Sequence, residues 1–382
     1  MDANTHAPTP LEAAASVPVP SADELAGRFP LTPNPSPADD ATFAREMETL
    51  AFGQSFTDHM AHMRWTTADG WHDRGVIPFQ DLQLSPAAAV LHYGQEVFEG
   101  LKAYRHDDGS VWLFRPGYNA ARFNHSARRL AMPQLEDGDF VASLVDYIRA
   151  DERWVPDAPG SSLYLRPFAF ASEAFLGVHS AAQLDYYVIG SPSGAYFKGG
   201  FDGVSIWVSS GYHRSGPGGT GDAKCGGNYA ASLLPQQEAA ELGFQQVCFL
   251  DAREEKYLEE LGGMNIFVVR ADGSVSTPAL TGTILEGGTR SAILTLLRDR
   301  GIAVSEDHIE LATLLDELRN GTVSEVFACG TAAVVTPISR LGGEGFDIEI
   351  PVGEVTKSIH KQLTDIQLGH ADDPYGWTYR VI

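Results

Sequence analysis

The chain has 382 residues, 43% apolar and 20% charged, with 27 lysines and arginines against 50 aspartates and glutamates and a formal net charge of −23. That length allows two domains and a core that needs no covalent staples, while the acidity leaves no basic footprint for a phosphate backbone, which excludes nucleic acid as a partner. Any anionic ligand must be held by a local positive pocket set against the overall field.

Cys225, Cys248 and Cys329 are odd in number and without paired spacing, which speaks against a disulfide framework and a zinc site and for a reducing, cytoplasmic setting. Residues 1–40 hold eight of the 22 prolines and carry Asp2, Glu12, Asp23 and Glu24 before the first basic residue, Arg28. This composition fits neither a signal peptide nor a mitochondrial presequence, and residues 1–45 are expected to form a disordered tail. No apolar run reaches the about 18 residues that cross a membrane.

Order is expected to begin near Phe52 in a strand-like stretch. Ser85–Gly100, SPAAAVLHYGQEVFEG, opens with a serine cap and Pro86 at the first helical position, which predicts a short helix ending in a glycine turn. LKAYR and VWLFR flank HDDGS as a hairpin, and Pro116 starts a helix presenting Arg122, Arg128 and Arg129. A helical stretch over Asp139–Trp154 precedes SSLYLRPFAF, a β-rich run broken by Pro167, and LDYYVIG. Together these predict a small α/β domain over 46–192. SPSGAYFKGGFDG reads as an interdomain loop over 193–203. In a large C-terminal domain over 204–382, strands VSIWVSS, QQVCFLD and MNIFVVR alternate with helices TRSAILTLLRDR, LATLLDELRN and VTKSIHKQLTDIQ, a mixed α/β layering.

GPGGTGDAKCGGNY, residues 216–229, places one lysine, Lys224, in a stretch with six glycines. Such a loop lets backbone approach a flat ligand closely, and a lysine held there can act as an amine nucleophile. Pyridoxal phosphate asks for a lysine to form a Schiff base, a group opposite its ring nitrogen and a cup for its phosphate. Glu260, in YLEELGGMNIF, suits the ring nitrogen, with Glu259 beside it as a decoy. LEGGTRSAILTLL runs glycines into a helix start at Thr289, an anion site by construction, although an ordinary capped helix looks the same when the motif stands alone. CGTAAVV at Cys329–Val335 is a second, weaker glycine–threonine turn.

FGQSFTDHM, LHYGQEVFEG, LFRP, SLYLRP, GAYFKGG, GDAKCGGNY, EELGGMNIF, EGGTR and GTAAVVTP follow one another between about Phe52 and Gly369. In this order the chain resembles the branched-chain amino acid aminotransferases, class IV (fold-type-IV) pyridoxal-phosphate enzymes. The resemblance implies a two-domain α+β, mixed α/β fold like that of D-amino acid aminotransferase, with the active site at the domain interface. Lys224 would be the Schiff-base lysine, Tyr229 would face the cofactor's phenolic oxygen and Glu260 would pair with the pyridine nitrogen. Arg122, Thr289 and Thr331, with the Gly288 backbone, would hold the phosphate. Tyr93, Phe98, Tyr164 and Tyr196 would line the substrate pocket, Arg166 would receive a second carboxylate, and the backbone at Thr331 and Ala332 would meet the α-carboxylate.

The activity implied is ping-pong transfer of the amino group of leucine, isoleucine and valine to 2-oxoglutarate. A homodimer is implied too, the partner contributing the loop around Leu176 to Val178. D-amino acid aminotransferase and aminodeoxychorismate lyase share the fold but are usually shorter, and a non-catalytic ligand-binding module would not need the intact lysine, acid and phosphate loop. Gly263 stands where many relatives carry a hydroxyl residue, and Ala333 and Thr336 replace the redox CxxC of animal relatives.

Overall fold

A computed structural model describes residues 7–194 and 201–382. The chain divides into two compact units, one formed by Pro8–Tyr196, Ala223–Gly226 and Asp365–Ile382, the other by Phe197–Asp222 and Gly227–Thr364.

The first unit is built on an antiparallel sheet in the order Thr378–Arg380, Val111–Phe114, Leu101–Arg105, Ser162–Ala171, Gln183–Ser193, His59–Thr66 and Gly70–Pro78, with the short strand Glu96–Phe98 also on Ser162–Ala171. Helices Pro116–Arg129 and Asp137–Ala150 supply one side of its core, where Phe123, Phe140 and Tyr147 meet Met63, Tyr186 and Val188. The predicted break at Pro167 does not occur, and Ser162–Ala171 runs through it. Leu101–Ala103 pairs with residues 163–165 and Glu96–Phe98 with residues 168–170. Pro167 therefore sits at the gap between two neighbours, where the ladder asks for no N–H.

The helix expected over Ser85–Gly100 is only Val90–Tyr93, because Gly94 takes a left-handed φ of 59° and closes it. The chain then enters strand Glu96–Phe98. Nor is the region before residue 45 disordered over the described residues: helices Pro10–Ala15, Ala22–Leu25 and Asp40–Thr49 form. Leu25 and Phe29 are fully buried, and both oxygens of Asp146 accept backbone N–H groups, from Gly27 and Phe29. A few anchored side chains order a segment that its mean composition describes as solvated. The last residues also depart from expectation. Instead of closing the C-terminal domain, Asp365–Ile382 belongs to the first unit, where Thr378–Arg380 pairs with Val111–Phe114.

The second unit holds a mixed sheet in the order Leu258–Leu261, Gln246–Leu250, Val204–Val208, Val334–Gly343, Val323–Gly330, Asn265–Arg270, Val275–Pro278 and Val304–Asp307, with Phe346–Glu349 on Val334–Gly343. Val204–Val208 runs parallel to both neighbours. Helices Leu233–Glu241, Gly288–Asp299 and Leu311–Asn320 alternate with these strands, and helix Glu354–Gln367 runs through this unit up to Thr364. Ile266, Val268, Ala328 and Ile338 lie at the centre of the core.

Candidate active site

The predicted site residues divide between the units. Lys224, Arg122, Tyr93, Phe98, Tyr164 and Arg166 belong to the first, and Tyr229, Glu260, Gly288, Thr289, Thr331 and Ala332 to the second. Tyr196 lies outside the described residues.

In the first unit the backbone of Lys224 is fixed at both ends. Its N–H donates to Ser126 Oγ at 2.9 Å, and its carbonyl accepts the Phe98 N–H at 3.0 Å. Two residues on, the Gly226 N–H donates to the Glu96 carboxylate, and any side chain at 226 would run into that carboxylate. The Lys224 Nζ stands 4.7 Å from the centroid of the Phe98 ring.

Asn119, Arg122 and Ser126 recur at helical spacing on Pro116–Arg129, so one face carries all three. That face meets Glu99, which is fully buried. Arg122 Nε and Nη2 donate to the two Glu99 oxygens at 2.7 and 2.8 Å, and Asn119 Nδ2 adds a bond of 2.7 Å. Burial alone would raise the Glu99 carboxyl, but Arg122 and, more weakly, Lys224 and Asn119 hold it below its ordinary value. Arg122, expected as a phosphate ligand, thus commits two of its donors to a carboxylate, and that fork fixes the direction of its remaining N–H groups.

Sheet register gathers the substrate candidates. Phe98 pairs with Phe168, and paired residues share a face, as do residues two apart on a strand. Phe98, Tyr164 and Arg166 therefore project from the same side. Arg166 Nη2 donates to the Tyr164 hydroxyl at 3.1 Å, and its guanidinium lies 4.8 Å from the Phe98 ring centroid. At Gly100 a side chain would strike the Tyr164 hydroxyl. Tyr93 turns elsewhere: it is 42% exposed, and its hydroxyl donates to the Leu176 carbonyl.

In the second unit Glu260 is 1% exposed, and its Oε1 takes an ion pair from Arg214 Nη1 at 2.7 Å and the Leu285 N–H at 2.8 Å. Strand pleating sends Glu259 to the other face, where the Thr283 hydroxyl donates to it. Desolvation raises the Glu259 carboxyl, and its second oxygen has no hydrogen-bond partner.

Helix Gly288–Asp299 has Gly287 as N-cap and no side-chain cap bond. Gly287 must be glycine because a Cβ there would meet the Asn265 amide. Thr331 and Ala332 sit in the hairpin turn closed by the Gly330–Val334 pair, and Val334, a β-branched residue, takes a φ of 57°. Strain of that kind persists where surrounding structure imposes it and gathers at functional sites. Gly263 leaves room for Tyr229, whose Cε1 would lie 3.4 Å from a Cβ at that position.

Three contributors escaped the sequence reading: Arg214, Glu99 and Glu96. Glu96 and Glu99 lie inside the motif around Phe98, and Arg214 lies ten residues before Lys224, so charge next to a motif is the one local signal they gave. The three cysteines are free and buried, and burial pushes the thiols of Cys248 and Cys329 up to about 12, far from the reactive range. Among the described residues no helix is long and apolar enough to cross a membrane, and no group of three or more histidine, cysteine or acidic side chains is arranged to hold a metal.

The family model for amino-transferase class IV matches residues 96–341. A probable branched-chain-amino-acid aminotransferase of Streptomyces coelicolor is 50% identical over 353 residues, 91% of this chain and 97% of that one. The branched-chain-amino-acid aminotransferase of Mycolicibacterium smegmatis is 49% identical over 360 residues, 92% and 98% of the two chains. Among solved structures, the branched-chain amino acid aminotransferase from Escherichia coli superposes with a TM-score of 0.67 at 30% identity, covering 84% of this chain and 99% of that one. The enzyme from Thermoproteus uzoniensis with norvaline reaches 0.70 at 26% identity, over 84% and 100%.

Proposed function

Because the chain belongs to the class IV aminotransferase family, we propose that its activity is transfer of the α-amino group of leucine, isoleucine or valine to 2-oxoglutarate, with pyridoxal phosphate as cofactor. Likeness to branched-chain-amino-acid aminotransferases at about half identity, over nine-tenths of both chains, carries this reading. The residues present fit the cofactor. A lysine sits in a glycine-bounded loop, a buried carboxylate is available for the ring nitrogen, and a glycine-led helix start, two threonines and an arginine suit a phosphate.

When bound, pyridoxal phosphate supplies an electrophilic carbonyl and a ring that delocalises the electron pair left on the substrate α-carbon. Lys224 would hold it covalently, Glu260 would accept a hydrogen bond from its ring N–H and so keep that nitrogen protonated, and Tyr229 would face its phenolic oxygen. Arg122, Gly288, Thr289 and Thr331 would bind its phosphate. As a free amine, Lys224 Nζ would take the α-proton from the amino acid and return a proton on the product side. Phe98 bounds this amine with an apolar face, while Ser126 and the Phe98 N–H hold its backbone still. The backbone at Thr331 and Ala332 orients the α-carboxylate. Phe98 and Tyr164 would bound the side chain, and Arg166 with the Tyr164 hydroxyl would receive the second carboxylate of glutamate.

Borohydride reduction followed by peptide mapping is expected to find the pyridoxyl group on Lys224, and recovery on another lysine would overturn the assignment. The working form is read as a cytoplasmic homodimer. Leu176 and Val178, 67% and 87% exposed, form an apolar loop that a partner subunit would cover. Sedimentation velocity is expected to show a dimer, and a fully active monomer would contradict it.

A further inference from the structure

A pocket that admits both leucine and glutamate faces a charge problem. With glutamate, Arg166 meets a carboxylate; with leucine it is left beside Phe98 and Tyr164, and an uncompensated guanidinium in partly desolvated surroundings is unfavourable. Among the described residues Arg166 Nε is buried without a hydrogen-bond partner, and Arg166 Nη2 donates to the neutral Tyr164 hydroxyl.

The register of the sheet supplies a candidate. Glu96 pairs with Phe170 and Phe98 with Phe168, so Glu96 projects on the same side as Phe98, Tyr164 and Arg166. Its Oε1 accepts the Gly226 N–H, which fixes the carboxylate two residues past Lys224. Burial raises the Glu96 carboxyl, while the Gly226 N–H and the charge of Arg166 act against that rise. Among the described residues no carboxylate is at salt-bridge distance from Arg166, so Glu96 can act on it only through space.

We propose that Glu96 is the internal counter-ion of Arg166 when the substrate side chain is apolar, and yields Arg166 to the substrate's own carboxylate when that side chain is acidic. A counter-ion held at a distance compensates charge yet can be outcompeted by a carboxylate in contact. Glu96 thereby sets the balance between monocarboxylic and dicarboxylic substrates. The inference rests on the reading of Arg166 as receiver of the second carboxylate.

The test uses the cofactor-loaded enzyme and two unreactive acids, glutarate for the dicarboxylic side chain and 4-methylvalerate for the apolar one, with affinities measured by titration calorimetry. Glu96→Gln keeps a carbonyl to accept the Gly226 N–H and removes only the charge. It is expected to raise affinity for glutarate relative to 4-methylvalerate by roughly 5- to 10-fold, the size of one partly screened charge interaction. In an Arg166→Met background the same substitution is expected to shift that ratio less than about twofold, because the coupling needs both charges. A parallel change for both acids in Glu96→Gln, or an equal shift with and without Arg166, would reduce Glu96 to a pin for the Gly226 backbone and overturn the inference. If Arg166→Met alone weakened both acids alike, the underlying reading of Arg166 would fall instead, and the inference with it.

Discussion

Glu260→Gln is expected to lower kcat by about 100- to 1,000-fold, the loss typical of removing one preorganised electrostatic partner from a reacting centre, whereas Glu259→Gln is expected to cost less than about threefold. The two neighbours differ in what they face. Glu260 is held by Arg214 and the Leu285 N–H, an arrangement that keeps it an acceptor, and an amide in its place carries no charge to keep the ring nitrogen protonated. It also deprives the buried Arg214 of its counter-charge, and two of that arginine's nitrogens already have no hydrogen-bond partner among the described residues. Removing one member of a buried pair costs about 3–5 kcal/mol, so thermal unfolding must be measured beside kcat to separate lost fold from lost chemistry. Glu259 is bonded to a hydroxyl, and burial already favours its neutral form, so an amide is close to what stands there. Equal losses in the two variants, at equal stability, would mean that the acid opposite the ring nitrogen is misassigned.

The sequence carried this contrast only in part. Glu259 and Glu260 are adjacent and chemically identical, and strand pleating alone puts them on opposite faces. Which of them meets the buried cation depends on Arg214, 46 positions upstream of Glu260 and joined to it only by the fold. Elements with strong local signals were legible: Pro116 opening a helix, the hairpin around HDDGS, and the glycine run into helix Gly288–Asp299. What failed lacked such signals. Glu96–Phe98 is three residues long and follows an aborted helix, so its pairing with Ser162–Ala171 decides its state. Thr378–Arg380 is just as short and pairs with a strand more than 250 positions away. Leu25 and Phe29 are single apolar residues in a proline-rich stretch, and an average over forty residues hides two anchors. Function was clearer than architecture because chemistry constrains motifs residue by residue, while a short strand is chosen by its neighbours.

Glu99 draws both concerns together, because it supports the arginine proposed to grip the phosphate and lies where no water can compensate for its loss. Glu99→Gln keeps the shape and one acceptor but removes the charge facing Arg122, which is 4% exposed. Leaving a buried guanidinium without its carboxylate costs about 3–5 kcal/mol, which corresponds to a fall in Tm of roughly 6–20 °C for a domain of this size. The effect has a definite pH signature. Arg122 holds the Glu99 carboxyl below its ordinary value despite burial, so the folded state binds that proton less readily than the unfolded one. The stabilisation is therefore fully present above the ordinary glutamate pKa of about 4.3 and is lost as pH falls through the lowered value. The Tm gap between the parent protein and Glu99→Gln is expected to stay constant from about pH 8 to 5 and to narrow below about pH 4. Replacing both partners, as in Glu99→Gln with Arg122→Met, should recover part of the stability, since an apolar group in place of the cation leaves no buried charge, but cofactor retention should remain poor because the phosphate has lost its arginine. A gap that persisted unchanged to pH 3, or a double variant that lost no cofactor affinity, would show that this ion pair braces the helix and leaves the phosphate to other donors.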